Sequence, residues 1–138
     1  MKRIHDLTAE PKIAYFSMEI GIKNDIPTYS GGLGILAGDT IKSAADLNLP
    51  MAAVTLIYKK GYFRQELNEI GRQIEHHVEW NPAEYMTLLP QKVRVRVEGR
   101  DVSLQAWFYS CNSLTGGKVP IFFLDSDLPE NNKEDREL

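Results

Sequence analysis

A single cysteine, Cys111, in 138 residues leaves no partner for an internal disulfide. That scarcity suits a reducing compartment, and the thiol reads as a half-buried structural group. Nor is there an excess of positive charge: 16 Lys and Arg against 19 Asp and Glu give a net charge of −3. A broad basic face for nucleic acid is therefore not expected. Lys92, Arg94, Arg96 and Arg100 do cluster, but they alternate with Val93, Val95 and Val97 as the solvated face of a strand would. No apolar run approaches the roughly 20 residues needed to span a bilayer, and residues 1–6 lead into no hydrophobic segment of signal length. The expectation is a cytoplasmic protein with no membrane partner. Histidine is scarce too. His76 and His77 are adjacent, so they point in different directions, and no cysteine or third histidine stands at ligand spacing. No metal site is expected. Asp125-Ser126-Asp127 reads as loop capping at a strand end. No internal repeat or low-complexity segment is present.

Glycine, by contrast, is concentrated. Gly31, Gly32 and Gly34 fall within four residues, directly before an apolar run that reads as a helix. Glycine lets a ligand approach the main chain without a Cβ in the way. A helix starting there aims unpaired N–H groups and the positive end of its dipole at the turn, a natural seat for phosphate or a sugar hydroxyl.

The surrounding pattern predicts an α/β fold. Residues 13–18 fit a buried first strand ending at Glu19. Residues 21–30 are polar and turn-rich, and Pro27 rules out a continuous helix. Between residues 34 and 47 the apolar side chains recur at helical spacing, until Asn48 and Pro50 stop the pattern. Residues 51–58 form a short run typical of a buried parallel strand. Strand, glycine turn, helix and strand make a βαβ unit over about 12–58, with the turn beyond the strand ends where open α/β sheets bind ligands.

A hairpin and strand region is expected over about 61–125. Residues 61–67 read as a short strand and 68–71 as a turn. Asn81 caps one helical turn that begins at Pro82. Residues 92–97 and 102–109 pair as an antiparallel hairpin around Glu98-Gly99-Arg100-Asp101, and residues 119–124 form another strand. The acidic stretch 125–138 carries no apolar stripe and resembles a loop heading into a further element, so the chain is expected to be the N-terminal piece of a longer protein.

Two familiar phosphate-binding motifs fail on spacing. The dinucleotide fingerprint needs its glycines immediately after the strand, whereas roughly a dozen residues separate Met18 from Gly31. A P-loop needs a following lysine and hydroxyl pair, absent here.

Four segments together resemble the N-terminal region of α-glucan (glycogen, starch, maltodextrin) phosphorylases, nearest to the short bacterial and archaeal type. They are Tyr15-Phe16-Ser17-Met18-Glu19, the run from Pro27 to Asp39, Gly61-Tyr62-Phe63-Arg64-Gln65, and the run from Val119 to Asn131. The resemblance implies an incomplete Rossmann-like N-terminal domain, spanning residues 1–138, of a two-domain (GT-B type) glycosyltransferase, with an added antiparallel hairpin. It implies release of glucose 1-phosphate from α-1,4-glucan ends by inorganic phosphate. Pyridoxal 5′-phosphate would be held by a lysine of a C-terminal domain that this chain lacks, and the chain alone would be inactive. It also implies that main-chain N–H groups of Gly31, Gly32, Leu33 and Gly34 meet the substrate phosphate and terminal glucose, with Glu19 near the cleft. Asp39, roughly a turn and a half into the predicted helix, is left to cap, to pair with Lys42 or to line the cleft. Tyr58 and Arg64 match positions around the second strand's turn and read as packing and surface charge.

Ser30 and Ile35 depart from the asparagine and arginine usual in the long phosphorylases. The alternatives are a glycogen or starch synthase-type transferase, where a lysine precedes the glycine loop in place of Tyr29-Ser30, and a non-catalytic glucan-binding domain. A homo-oligomer is left open.

Overall fold

The computed structural model describes residues 11–137; the polar lead-in expected over residues 1–10 lies outside them. Seven strands and one long helix follow in order: β1 (Ile13–Phe16), α1 (Gly32–Asp46), β2 (Met51–Leu56), β3 (Lys60–Leu67), β4 (Gln73–Glu79), β5 (Thr87–Val97), β6 (Arg100–Asn112) and β7 (Lys118–Asp125). Short 3₁₀ turns occupy Pro82–Glu84 and Asp135–Glu137. Five strands form one sheet in the order β1-β2-β7-β6-β5, and β3 and β4 form a separate two-stranded ribbon. β1, β2 and β7 run parallel, while β6 is antiparallel to both β7 and β5. The result is an α/β mixed sheet, half parallel and half hairpin.

Helix α1 buries Ala37, Ile41, Ala44 and Ala45, a stripe at helical spacing. It packs with Met51, Ala53, Val119, Ile121 and Phe123 to form the core on one face of the sheet. The helix ends in a hydrogen-bonded reversal. Asn48 adopts a left-handed φ of 51°, its N–H donates to the Ala45 carbonyl, and the Leu49 N–H donates to that of Ala44. Those two bonds satisfy carbonyls the last turn would leave open. At the other end Gly38 and Gly34 let the 20–30 loop lie directly on the helix: the Gly21 N–H donates to the Gly34 carbonyl at 2.8 Å.

Several expectations are corrected. The first strand is not buried. β1 stops at Phe16, which is 73% exposed, because the strand lies at the sheet edge, with β2 as its only neighbour among the described residues. The second strand ends at Leu56, short of Tyr58. Strand β4 was not foreseen: within QIEHHVE, charge and two histidines dilute the apolar alternation of Ile74 and Val78. The β5–β6 turn is tighter than expected. Val97 pairs with Arg100, leaving Glu98 and Gly99 as a two-residue turn with φ of 49° and 82°. Along β5, Val93 and Val95 are exposed as well as the basic residues, at 55% and 39%, while Val97 is half-buried. The acidic tail is also less featureless than it reads. Asp135 is 2% exposed and accepts from the Arg100 guanidinium at 3.0 and 3.2 Å. The Asn81 cap stands as predicted, its side chain accepting the Ala83 N–H.

The sheet face away from α1 carries an in-register row of Phe16, Val54, Phe122 and Phe108. Phe108 and Phe122 meet at a ring-centroid distance of 5.8 Å. No described helix covers that row.

Candidate functional site

The glycine turn and the end of β1 are drawn together by one carboxylate. After Phe16 the chain turns, with the Ser17 hydroxyl donating to the Glu19 carbonyl at 2.7 Å. The Tyr58 hydroxyl donates to the Met18 carbonyl at 3.2 Å. This aims Glu19 at the start of α1. Its Oε1 accepts the Gly34 N–H at 3.0 Å, and its Oε2 accepts the Ser30 N–H at 3.1 Å and the Ser30 hydroxyl at 3.3 Å. The N-cap residue, Gly31, has no side chain to offer, so a carboxylate fifteen residues from Gly34 in sequence performs the capping. Negative charge at a helix N-terminus is favourable.

The expected anion seat is thus partly filled from within the chain. Among the described residues, the N–H groups of Gly32 and Leu33 have no acceptor, as the first helical turn predicts.

The glycines divide into two kinds. A Cβ on Gly34 would lie 2.6 Å from the Cβ of Tyr29, and one on Gly38 would lie 1.9 Å from the Gly21 carbonyl oxygen. Those positions are glycine because the backbone packs against side chain or backbone. A Cβ on Gly31 or Gly32 would meet nothing within 4 Å. Gly31 sits at φ −157° and ψ −158°, extended backbone that any residue adopts. Glycine within a helix costs roughly 0.5–1 kcal/mol relative to alanine, and no described contact at Gly32 offsets it. Their bare backbone faces open space beside two unpaired donors.

Asp39 is not brought to this turn. It lies two turns along α1, exposed, 3.8 Å from Lys42. Leu33 contributes its N–H, while its side chain is half exposed. Arg64 stands on the β3–β4 ribbon, 3.8 Å from Glu66. His76 pairs across that ribbon with the same Glu66 carboxylate, Nε2 to Oε2 2.9 Å.

Tyr58 has a larger part than packing alone suggested. Its N–H donates to the fully buried Thr28 hydroxyl and its carbonyl accepts from the Trp80 indole, both at 2.8 Å. Burial, and after it the negative charge of Glu19, pushes the Tyr58 hydroxyl up from its ordinary value, so it stays a donor. No sequence spacing signals the Thr28–Tyr58 bond or the Ser30–Glu19 bond, which join segments thirty and eleven residues apart.

A family model described as carbohydrate phosphorylase matches residues 20–109. The chain belongs to that family. It is 42% identical over 136 residues to the maltodextrin phosphorylase of Thermococcus litoralis, covering 94% of this chain and 16% of the relative. It is 41% identical over 133 residues to the glycogen phosphorylase of Mycobacterium tuberculosis, covering 91% and 15%. With the glycogen phosphorylase of Aquifex aeolicus the identity is 29% over 137 residues, covering 95% and 19%. The chain therefore spans less than a fifth of the length of these relatives. Within this carbohydrate phosphorylase segment the family match takes in the glycine turn, α1, β2, the ribbon, β5 and most of β6.

A second polar cluster closes the carboxyl ends of β2 and β7. Asp125, 4% exposed, accepts from the Trp107 indole and from the Lys59 ammonium, each at 2.9 Å. Its other oxygen accepts the Asp127 N–H, the capping predicted for this stretch. Asp127 in turn meets Arg136 at 2.6 and 2.7 Å.

The Arg136 hydrogen bond, followed by the Lys59 charge, holds the Asp127 carboxyl below its ordinary value of 3.8. A group depressed in the folded state adds stability above its unfolded pKa and loses it as pH falls through the folded value. Asp127 is 40% exposed, so the contribution is at most about 1 kcal/mol. Urea midpoints recorded downward from pH 5 are expected to fall less steeply in Arg136→Ala than in the parent chain. Parallel curves would remove this pairing as a source of acid sensitivity.

Proposed function

We propose that this chain is the N-terminal part of an α-1,4-glucan phosphorylase, which releases glucose 1-phosphate from glucan ends with inorganic phosphate. In this reading residues 1–138 form an incomplete Rossmann-like domain of a GT-B-type enzyme, and the 138-residue chain by itself is inactive. The supporting observation is the bare backbone at Gly31 and Gly32, next to two unpaired N–H groups, in a segment of the phosphorylase family.

The chemistry follows from the geometry. Main-chain N–H groups held by a helix are preorganised donors, suited to an oxygen that gains negative charge during bond cleavage. Gly32 and Leu33 supply two, enough for a sugar hydroxyl or one phosphate oxygen. Glu19 acts as a positioning residue: it fixes Ser30 and Gly34 and so sets the direction of the other two donors. Its charge opposes a dianion placed against it, which favours a single phosphate oxygen over a fully cradled phosphate. Asp39 has no part in this arrangement.

Pyridoxal 5′-phosphate, the cofactor implied by the family resemblance, does not fit the residues of this chain as its holder. Lys59 is the one described lysine that is not exposed, and Asp125 and Asp127 take its ammonium. An imine-forming lysine must present a free amine to the cofactor, whereas the Lys59 nitrogen is engaged by Asp125 at 2.9 Å and Asp127 at 3.3 Å, and those carboxylates oppose the cofactor's phosphate. The cofactor and its lysine are assigned to polypeptide outside this segment, and the reaction to a cytoplasmic enzyme.

The synthase-type reading loses ground to the family match, and Tyr29-Ser30 stands where its lysine would be. A chimera tests the choice. Residues 1–138 replace the matching segment of the Thermococcus litoralis maltodextrin phosphorylase. The chimera is offered maltodextrin with phosphate, and separately with a nucleotide-glucose. Glucose 1-phosphate formation is expected in the first mixture. Glucosyl transfer only in the second would overturn the proposal, as would phosphorolysis by the 138-residue chain alone for the expectation that it is inactive.

A further inference from the structure

The second polar cluster borders a cavity of about 640 Å³ at the carboxyl ends of β2 and β7. That volume lies within the roughly 300–1,000 Å³ of small-molecule sites, and the position is where open α/β sheets bind ligands. No residue of the glycine turn lines it. Tyr58 joins the two places, since it borders the cavity while its hydroxyl is bonded to Met18 beside Glu19.

The lining has an unequal charge. Lys59 and Arg136 are locked in the ionic frame of Asp125 and Asp127. That frame is rigid because Asp125 is buried and bonded to Trp107. Two further lysines, Lys60 and Lys133, also line the cavity, and neither has a carboxylate within ion-pair distance among the described residues. Among the described lining residues, Glu137 is the one carboxylate outside that frame. A neutral glucan would favour an aromatic platform, and Tyr58 is the sole aromatic side chain of the lining among the described residues. The free charge favours an anion.

We infer that this cavity is a second binding site, in which Lys60 and Lys133 take a phosphate group, free or carried on a sugar, above the Asp125–Lys59–Asp127–Arg136 frame. The choice of phosphate among anions rests on the proposed phosphorylase reading; the site itself rests on the cavity and its two unpaired cations. The locked frame supplies rigidity and the two lysines supply attraction, so binding is weakened by salt.

The 138-residue chain, labelled with ¹⁵N, is titrated with inorganic phosphate, with glucose 1-phosphate and with maltotriose. Amide shifts around Lys60, Asp127 and Lys133 are expected with both phosphates and not with maltotriose. Stronger shifts with glucose 1-phosphate than with phosphate identify the sugar-borne form, and equal shifts the free ion. The double substitution Lys60→Ala with Lys133→Ala alters only exposed side chains and is expected to weaken this binding about tenfold or more. Lys60→Arg with Lys133→Arg should retain it.

Gly32→Ala separates the two sites. Shifts at the cavity that survive Gly32→Ala support the inference, whatever becomes of the glycine turn. Shifts confined to residues 31–34 overturn it while leaving the proposed function standing. Binding unaffected by the double alanine substitution, equal response to maltotriose, or no shift at either site also overturns it.

Discussion

Gly38→Ala is expected to lower the stability of this chain more than any other single glycine-to-alanine change in α1. A Cβ there lies 1.9 Å from the Gly21 carbonyl oxygen and 2.8 Å from its carbon. Both are backbone atoms, so no side-chain rotation relieves the clash. The same crossing carries the hydrogen bond from Gly21 N–H to the Gly34 carbonyl, which breaks if the helix and loop separate. Alanine is the better helix former by about 1 kcal/mol, and on propensity alone the substitution would stabilise. Overpacking of a tight interior typically costs 1–3 kcal/mol, occasionally more, and here the contact is far inside van der Waals distance. Steric cost wins. Urea denaturation followed by circular dichroism should show a clearly lower midpoint; an unchanged or higher one would mean that the loop does not lie on the helix as described.

The opposite pattern is expected at Gly32. Its Cβ meets nothing, so Gly32→Ala should leave the urea midpoint unchanged or raise it by up to about 1 kcal/mol in stability. In the phosphorylase chimera the same change should cut kcat/KM for phosphorolysis by roughly 10²-fold, the scale of losing preorganised donors to an oxygen. The new methyl stands where the ligand must approach the Gly32 and Leu33 N–H groups. A stable Gly32→Ala chimera with full activity would remove the glycine turn from the site. Gly34→Ala makes a poor substitute for this test, because its clash with Tyr29 disturbs the fold as well.

The two substitutions show why a glycine cluster is ambiguous in sequence. Gly31, Gly32, Gly34 and Gly38 all read alike, yet Gly34 and Gly38 answer to packing and Gly31 and Gly32 do not. The distinction depends on what lies opposite each absent Cβ, which comes from residues 21 and 29 folding over the helix. Glu19 was legible as a strand-end carboxylate near the turn. Its bonds to Ser30 and Gly34, which make it the helix cap, were not. For Asp39 the sequence left capping, a pair with Lys42 or the cleft open, and helical geometry selects the Lys42 pair, two turns away from the glycine turn.

Local chemistry alone determined much of the fold: the helix by its apolar spacing, the β5–β6 hairpin by its alternation and glycine turn, the Asn81 cap by its short amide oxygen beside Pro82. Each rests on interactions within a few residues, which a linear reading captures. The segments that resemble phosphorylases likewise carried the family, because they are contiguous. Tertiary structure decided the rest. It placed β1 at an edge instead of in the interior, exposed Val93 and Val95 of β5, filled part of the anion seat with Glu19, and gathered Lys59, Asp125, Asp127 and Arg136 at the ends of two parallel strands. Those outcomes depend on which surfaces meet across the sheet, and burial and charge pairing between distant segments leave no periodic mark on either one.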